Sequence, residues 1–220
     1  MKYVVLDLEM CRVPKKLMTD KYRYNMETIQ IGAVLLDEEY NVEKKFSTFI
    51  HPEYGRMDSF IEQLTGITRK NVYDAPYFKE ALESFVHWLP EEDVSCVSWS
   101  KTDRDQIINE MQAKGIENAV ISSLAGSWID SQELFGDKMN TDRQYNLEEA
   151  LIASDICTEG RAHDGLVDAY NTALLFAKFM KDPNYKLNDI YTMARVEEVD
   201  HLSVSMGDMF KRFNLQLVVL

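Results

Sequence analysis

Residues Tyr3-Val4-Val5-Leu6-Asp7-Leu8-Glu9 read as a strand in which two carboxylates interrupt an apolar run. A strand so rich in Val and Leu is expected to be covered on both faces, as in a sheet held between layers of helix. Charge placed in such a strand is costly to bury without a partner. Strand residues two apart point to the same face, about 6.6–7 Å apart along the chain. Asp7 and Glu9 therefore project side by side. Either they stand on an exposed sheet edge, or they share bound cations. Carboxylate oxygens select hard ions such as magnesium or manganese over zinc, and paired ions in such sites lie roughly 3.5–4 Å apart.

The pattern after this strand predicts alternating layers. Ile29 to Leu36 and Phe46 to Ile50 read as two more strands, joined as a hairpin by the acidic bend Asp37 to Asn41. Short helical pieces are expected in the loop region through Leu64-Thr65-Gly66-Ile67-Thr68. Pro76 to Leu89 places Phe78, Ala81, Leu82, Phe85 and Trp88 at helical spacing, and Pro90 stops it. Val94 to Trp99 predicts a strand, and Thr102 to Lys114 a helix ended by Gly115. Ser127 to Leu134 predicts a short strand leading into a turn. Leu147 to Ala153 and Asp164 to Met180 predict helices, with Pro183 closing the second. Strands first, then strands alternating with helices, indicate an α/β fold: a mixed β-sheet flanked by α-helices in three layers. One domain over residues 1–182 is expected, with residues 183–220 as an extension that either packs on it as helix or binds a protein partner.

Charge narrows the partners. The 220 residues are 45% hydrophobic and 28% charged, an ordinary globular balance, yet the net charge is -13. Proteins that grip long duplexes by their phosphates usually carry a basic stripe. A site built of carboxylates is negative by construction, and bound cations reverse its sign locally. Lys15, Lys16, Lys21 and Arg23 form one basic segment, either a solvated run or a guide for an incoming strand. Cys11, Cys96 and Cys157 are odd in number and not paired in spacing, which predicts a reducing, cytoplasmic setting without zinc. No run reaches the roughly 18 apolar residues of a membrane span.

Three more residues join the first pair. Asp103 follows the strand ending at Trp99, where open α/β sheets place ligands. It is also well suited to the first turn of a helix, in a capping box of Thr102 with Asp105. Asp168 falls at the margin of the apolar face made by Ala169, Ala173, Phe176, Phe179 and Met180, with Asn171 and Lys178 marking the opposite side. That placement suits a carboxylate aimed across the sheet. His163, five residues earlier, belongs to the preceding loop, as a surface residue or leaning over the same site. Arg161 adds a phosphate contact. His51, His87 and His201 have no such acidic company.

Together these residues resemble the DnaQ-like 3′→5′ exonucleases of the DEDDh type, a branch of the ribonuclease-H-like superfamily. Asp7-Leu8-Glu9 is similar to the family's first motif, Asp103 to its second, and His163 to Asp168 to its third. The resemblance covers roughly residues 1–182 in matching order. Leu64-Thr65-Gly66-Ile67-Thr68 is similar to a family loop near the terminal nucleotide. Ser98-Trp99-Ser100-Lys101-Thr102-Asp103 looks most like the branch that trims 3′ ends of small RNAs and histone messages. Met10 and Cys11 stand where threonine is common.

The resemblance implies a hydrolase acting on 3′ ends of single-stranded RNA or DNA, RNA slightly favoured, and releasing nucleoside 5′-monophosphates. It implies two divalent cations, Mg2+ or Mn2+, held by Asp7, Glu9, Asp103 and Asp168, with His163 as general base. Met10, Leu64 and Ile67 are substrate contacts on this view, or else plain core and loop residues. A polymerase-associated proofreading subunit and a non-catalytic interaction module are the competing readings.

Overall fold

The computed structural model describes residues 1–20, 22–140, 143–188 and 191. Strand β1 (Lys2–Arg12) is followed by a 3-10 turn (Lys15–Leu17), then β2 (Met26–Leu36) and β3 (Val42–Phe49). Two short helices, α1 (Ser59–Thr65) and α2 (Arg69–Tyr73), precede α3 (Phe78–Trp88). Next come β4 (Val94–Ser98), α4 (Thr102–Lys114), α5 (Ala119–Gly126), β5 (Ile129–Asp130), α6 (Ser131–Lys138), α7 (Leu147–Ala153) and α8 (Gly165–Lys181). The sheet order is β3-β2-β1-β4-β5. The first three strands are antiparallel, and β4 and β5 run parallel to β1. This is a mixed sheet with helices on both faces, as the alternation of elements predicts.

The two-residue period of β1 divides the core. Leu6 and Leu8 face one side and pack with Ile31, Phe85, Ile107 and Met111, beneath α3, α4 and α5. Val5 faces the other side with Val34, Val97, Ala169 and Phe176, beneath α6, α7 and α8. Asp7 and Glu9 continue the Val5 face. They therefore lie on the α8 side of the sheet, just beyond its apolar packing.

Some element boundaries differ from the sequence reading. β2 begins three residues earlier than predicted, because Glu27 and Thr28 are polar yet buried and mask the strand pattern. β3 begins at Val42, and its exposed Glu43, Lys44 and Lys45 guard a sheet edge. Residues 127–134 form a two-residue strand followed by helix α6 rather than a turn. The Asp130 carboxylate accepts the Glu133 N–H at 2.8 Å and starts that helix. Helix α5 is also unpredicted; it buries only Ile121 and Leu124, too little for a periodic signal.

The start of the C-terminal segment packs on the domain. Tyr185 is buried against Phe135 and Phe179, and the Asn188 N–H donates to the Ala153 carbonyl at 2.9 Å. Beyond that, apart from Tyr191, the predicted extension lies outside the described residues, as do Lys21 and His201. Among the described residues no helix is long and apolar enough to cross a membrane.

The N-terminus of α8 sits directly on β2. A Cβ added to Gly32 would stand 2.1 Å from the Gly165 carbonyl carbon, so a side chain at position 32 would lift the helix off the sheet. Gly32→Ala is expected to lower stability by about 1–3 kcal/mol or more, measured by urea unfolding. A variant as stable as its parent would refute so close a contact.

Candidate active site

The site forms where β1 runs past its parallel neighbour. β4 pairs with β1 only over Lys2 to Val5, which leaves the later N–H groups on that edge without a ladder partner. Buried amides need acceptors. Asp103, in the first turn of α4, takes the Leu8 N–H on Oδ1 at 3.0 Å. Its carboxylate is thereby fixed beside Asp7 and Glu9. Across the sheet, Asp7 is opposite Gly32 and Glu9 is opposite Gln30, and the β1–β2 register shifts immediately after Glu9.

The fourth carboxylate and the histidine arrive with α8. Asp164 caps the helix, accepting the Leu166 N–H at 3.0 Å and the Val167 N–H at 3.3 Å. Gly165 N–H donates to Gln30 Oε1 at 2.9 Å. That bond ties the first turn, and with it Asp168, to the residue opposite Glu9. His163 adopts a left-handed backbone, φ 62°, uncommon for a residue with a side chain. Its N–H donates to Asp168 Oδ2 at 2.8 Å. Donor atoms of Glu9, His163 and Asp168 all lie within 4.8 Å of one another. A cavity of about 340 Å³ opens beside His163 and Asp168, lined also by Leu147, Leu151 and Thr158.

Electrostatics set these carboxyls apart. Burial raises Asp7 well above the usual carboxylate range, and Asp103, Glu9 and Asp168 add repulsion. Burial likewise pushes Glu9 up to about 8, with Asp168 and Asp103 contributing. Asp103 rises to about 7 through burial, partly offset by the Leu8 N–H. Burial raises Asp168 too, against the opposing pull of the His163 N–H. No lysine or arginine among the described residues forms an ion pair with any of the four. A hard divalent cation fits this donor set, because it would supply the missing positive charge to oxygen ligands.

Two local expectations from the sequence do not hold in the fold. Thr102 and Asp105 do not form a capping box: α4 starts after Lys101 with no side-chain cap, and Asp103 turns inward to Leu8. Asn171 does not mark a solvent face of α8. It is buried, receiving the Glu159 N–H and donating to the Glu159 carbonyl.

The other named residues are distributed as follows. Leu64 is open on α1, whereas Ile67 is buried with Cys11, Ile29, Ile61 and Val72. Met10 is half-buried against the α3–α5 core. Arg161 donates to the carbonyls of Gln63 and Leu64, closing the C-terminal end of α1. Lys15, Lys16 and Arg23 are exposed. Phe60, which no sequence motif marks, lies one helical turn before Leu64 and is 55% exposed, with the Arg12 guanidinium 5.4 Å from its ring centroid. Its spacing from Leu64 was the available signal. Gln30 was missed because nothing local marks it.

The exonuclease family model RNase_T matches residues 4–176. The chain belongs to that exonuclease family. It is 30% identical over 186 residues to ERI1 exoribonuclease 2 of Danio rerio, covering 74% of this chain and 33% of the relative. It is 27% identical over 177 residues to the 3′-5′ exonuclease Snipper of Drosophila melanogaster, covering 71% of this chain and 62% of that one. The chain thus spans one-third to under two-thirds of these relatives' length. Its fold is shared with the nuclease domain of 3′hExo, a DEDDh family member bound to rAMP. The TM-score is 0.71 at 21% identity, over 86% of this chain and 96% of that one. The DEDDh relationship and the ribonuclease-H-like sheet expected from the motifs are therefore borne out.

The raised carboxyls have a measurable consequence. The folded protein holds protons that the unfolded chain loses near pH 4, so the metal-free fold loses stability as pH rises towards 7 to 8. In chelator, the unfolding midpoint is expected to be lower at pH 8 than at pH 5.5, by several degrees. Mn2+ should restore it chiefly at the higher pH. A flat profile would mean that these groups do not resist ionisation in the fold.

Proposed function

We propose that this chain is a metal-dependent 3′→5′ exonuclease acting on single-stranded ends, RNA in preference to DNA, and releasing nucleoside 5′-monophosphates. The observation that carries this is the gathering of Asp7, Glu9, Asp103, Asp168 and His163 from three separated stretches at one end of the sheet. Membership of the exonuclease family supports the reaction class. The names of several relatives, ERI1 exoribonuclease 2 among them, favour RNA.

Asp7, Glu9, Asp103 and Asp168 would hold two divalent cations, Mg2+ or Mn2+. When bound, such ions lower the pKa of a water and steady charge on a leaving oxygen. Asp103 spends one oxygen on the Leu8 N–H, which leaves the other for this task. Asp168 is held by the His163 N–H in the same way. His163 accepts the proton of the attacking water at a ring nitrogen. His163 is exposed, while its backbone stays anchored to Asp168. Most of the acceleration comes from holding these groups in place, as is general where charge builds on phosphate oxygens.

The terminal nucleotide would lie against Leu64, Met10 and Phe60, with Ile67 supporting α1 from the core. Arg161 serves mainly by fixing the carbonyl end of α1. Residues 1–182 are the exonuclease unit, and the extension that starts at Pro183, anchored by Tyr185 and Asn188, would offer a surface for a protein partner. The three cysteines described are free, which suits the cytoplasm.

A 5′-labelled single-stranded RNA and its DNA analogue, incubated with Mn2+ or chelator, test the class. A metal-dependent ladder shortening from the 3′ end is expected, faster on RNA; cleavage unaffected by chelator would refute it. His163→Ala should lower kcat about 10²–10⁴-fold while Mn2+ affinity holds. Near-parental turnover would remove the general-base role. Phe60→Ala should raise KM more than it lowers kcat, and an unchanged KM would take that ring out of the substrate site.

A further inference from the structure

We infer that Glu110, buried two turns along α4 from Asp103, is a positioning residue for the metal-binding carboxylates. It acts by catching a backbone N–H that the sheet irregularity beside Glu9 sets free. The inference rests on the proposed metal role of Asp7, Glu9 and Asp103.

Glu9 pairs with Gln30, but Met10 pairs with Thr28, so Ile29 is an extra residue on β2. Such a bulge locally disrupts the ladder and turns the strand. Thr28 N–H then donates to Glu110 Oε2 at 3.0 Å, and the Thr28 hydroxyl donates to the same oxygen at 2.7 Å. Gln106 Nε2 donates there too, at 2.9 Å. The other oxygen, Oε1, meets Lys114 Nζ at 3.0 Å. Lys114 also pairs with Glu27 at 2.8 Å and with Glu53 at 2.7 Å. Glu27 in turn accepts the N–H groups of Glu53, Tyr54 and Gly55. The neighbouring Arg56 N–H donates to the carbonyl of Arg12 at the end of β1.

Helix α4 is therefore pinned to both strands: Asp103 holds the Leu8 N–H of β1, and Gln106, Glu110 and Lys114 hold Met26, Thr28 and Glu27 of β2. The spacing is compatible with both. Thr28 lies one strand across and two residues along from Leu8, roughly 8 Å away. Seven helical residues rise about 10.5 Å, and side chains at that spacing share a face. Without Glu110, β2 would be held to α4 chiefly through the flexible Lys114 on Glu27 and the 3.3 Å bond from Gln106 to the Met26 carbonyl, which leaves the helix freer to slide along its axis. With Glu110 attached, Asp103 is held at one register, and the bulge that orients Glu9 is held with it. The buried face of α4 is Asp103, Gln106, Glu110 and little else besides Ile107 and Met111, so apolar packing alone gives this helix few anchors.

The test is Mn2+ binding by calorimetry on the full chain, with unfolding midpoints measured alongside. Glu110→Met keeps side-chain length and removes the acceptor. It is expected to bind Mn2+ about tenfold more weakly, the usual scale for a group supporting a ligand. Glu110→Gln keeps an acceptor for Thr28 but turns its NH2 toward Lys114, so it should weaken binding less than Glu110→Met does. Thr28→Val, which removes the hydroxyl bond at similar volume, should weaken binding by a smaller factor. A folded Glu110→Met that binds as the parent does, with only a lower midpoint, overturns the proposal. Equal weakness of the Gln and Met variants also overturns it, since the hydrogen bond would not be what matters. If Glu110→Met does not fold, Thr28→Val decides by the presence or absence of weaker binding. A parent that binds no Mn2+ removes the underlying reading, and this inference falls with it. That outcome is distinct from a parent that binds and a Glu110→Met that matches it.

Discussion

Four carboxylates, Asp7, Glu9, Asp103 and Asp168, crowd one end of the sheet, and burial and the neighbouring acids make their ionisation harder. Left to their own preferences they would separate. What opposes that tendency is backbone: Leu8 N–H on Asp103, His163 N–H on Asp168, and Gly165 N–H on Gln30 beside Glu9. Each is a peptide group without a ladder or helix partner, and each needs an acceptor because it is buried or at a helix start. The requirement of the amides for acceptors thus holds the acids where their charges repel.

This arrangement explains why β1 is longer than its parallel neighbour. The segment that β4 covers, Lys2 to Val5, is apolar strand after Lys2. The segment beyond it carries the acids and leaves an edge to which α4 can dock. On the other face, Gly32 lets the first turn of α8 touch the sheet, where any larger residue opposite Asp7 would hold it away. Short reach of the carboxylates makes both contacts necessary.

Helix α4 illustrates a cost of the arrangement. It buries acids and an amide where most helices in such layers bury apolar side chains. Buried polar networks rigidify when fully paired and destabilise when not. Here Lys114 pairs with Glu27, Glu53 and Glu110 together, which ties the far end of the helix to the sheet as Asp103 ties the near end.

Much of this was legible in the residues. Asp-x-Glu in a Val- and Leu-rich run determined a covered strand with two acids on one face, and Phe78, Ala81, Leu82, Phe85 and Trp88 determined α3, because periodicity depends only on local chain geometry. The spacing of His163 and Asp168 likewise identified the loop and helix that hold them. Tertiary structure alone decided that Asp103 faces Leu8 rather than capping its own helix, that Asn171 is buried, and that Gln30 and Glu110 matter. Those facts depend on which N–H groups lack partners once strands pair out of step, and strand register is a property of residues far apart in sequence, not of any short stretch.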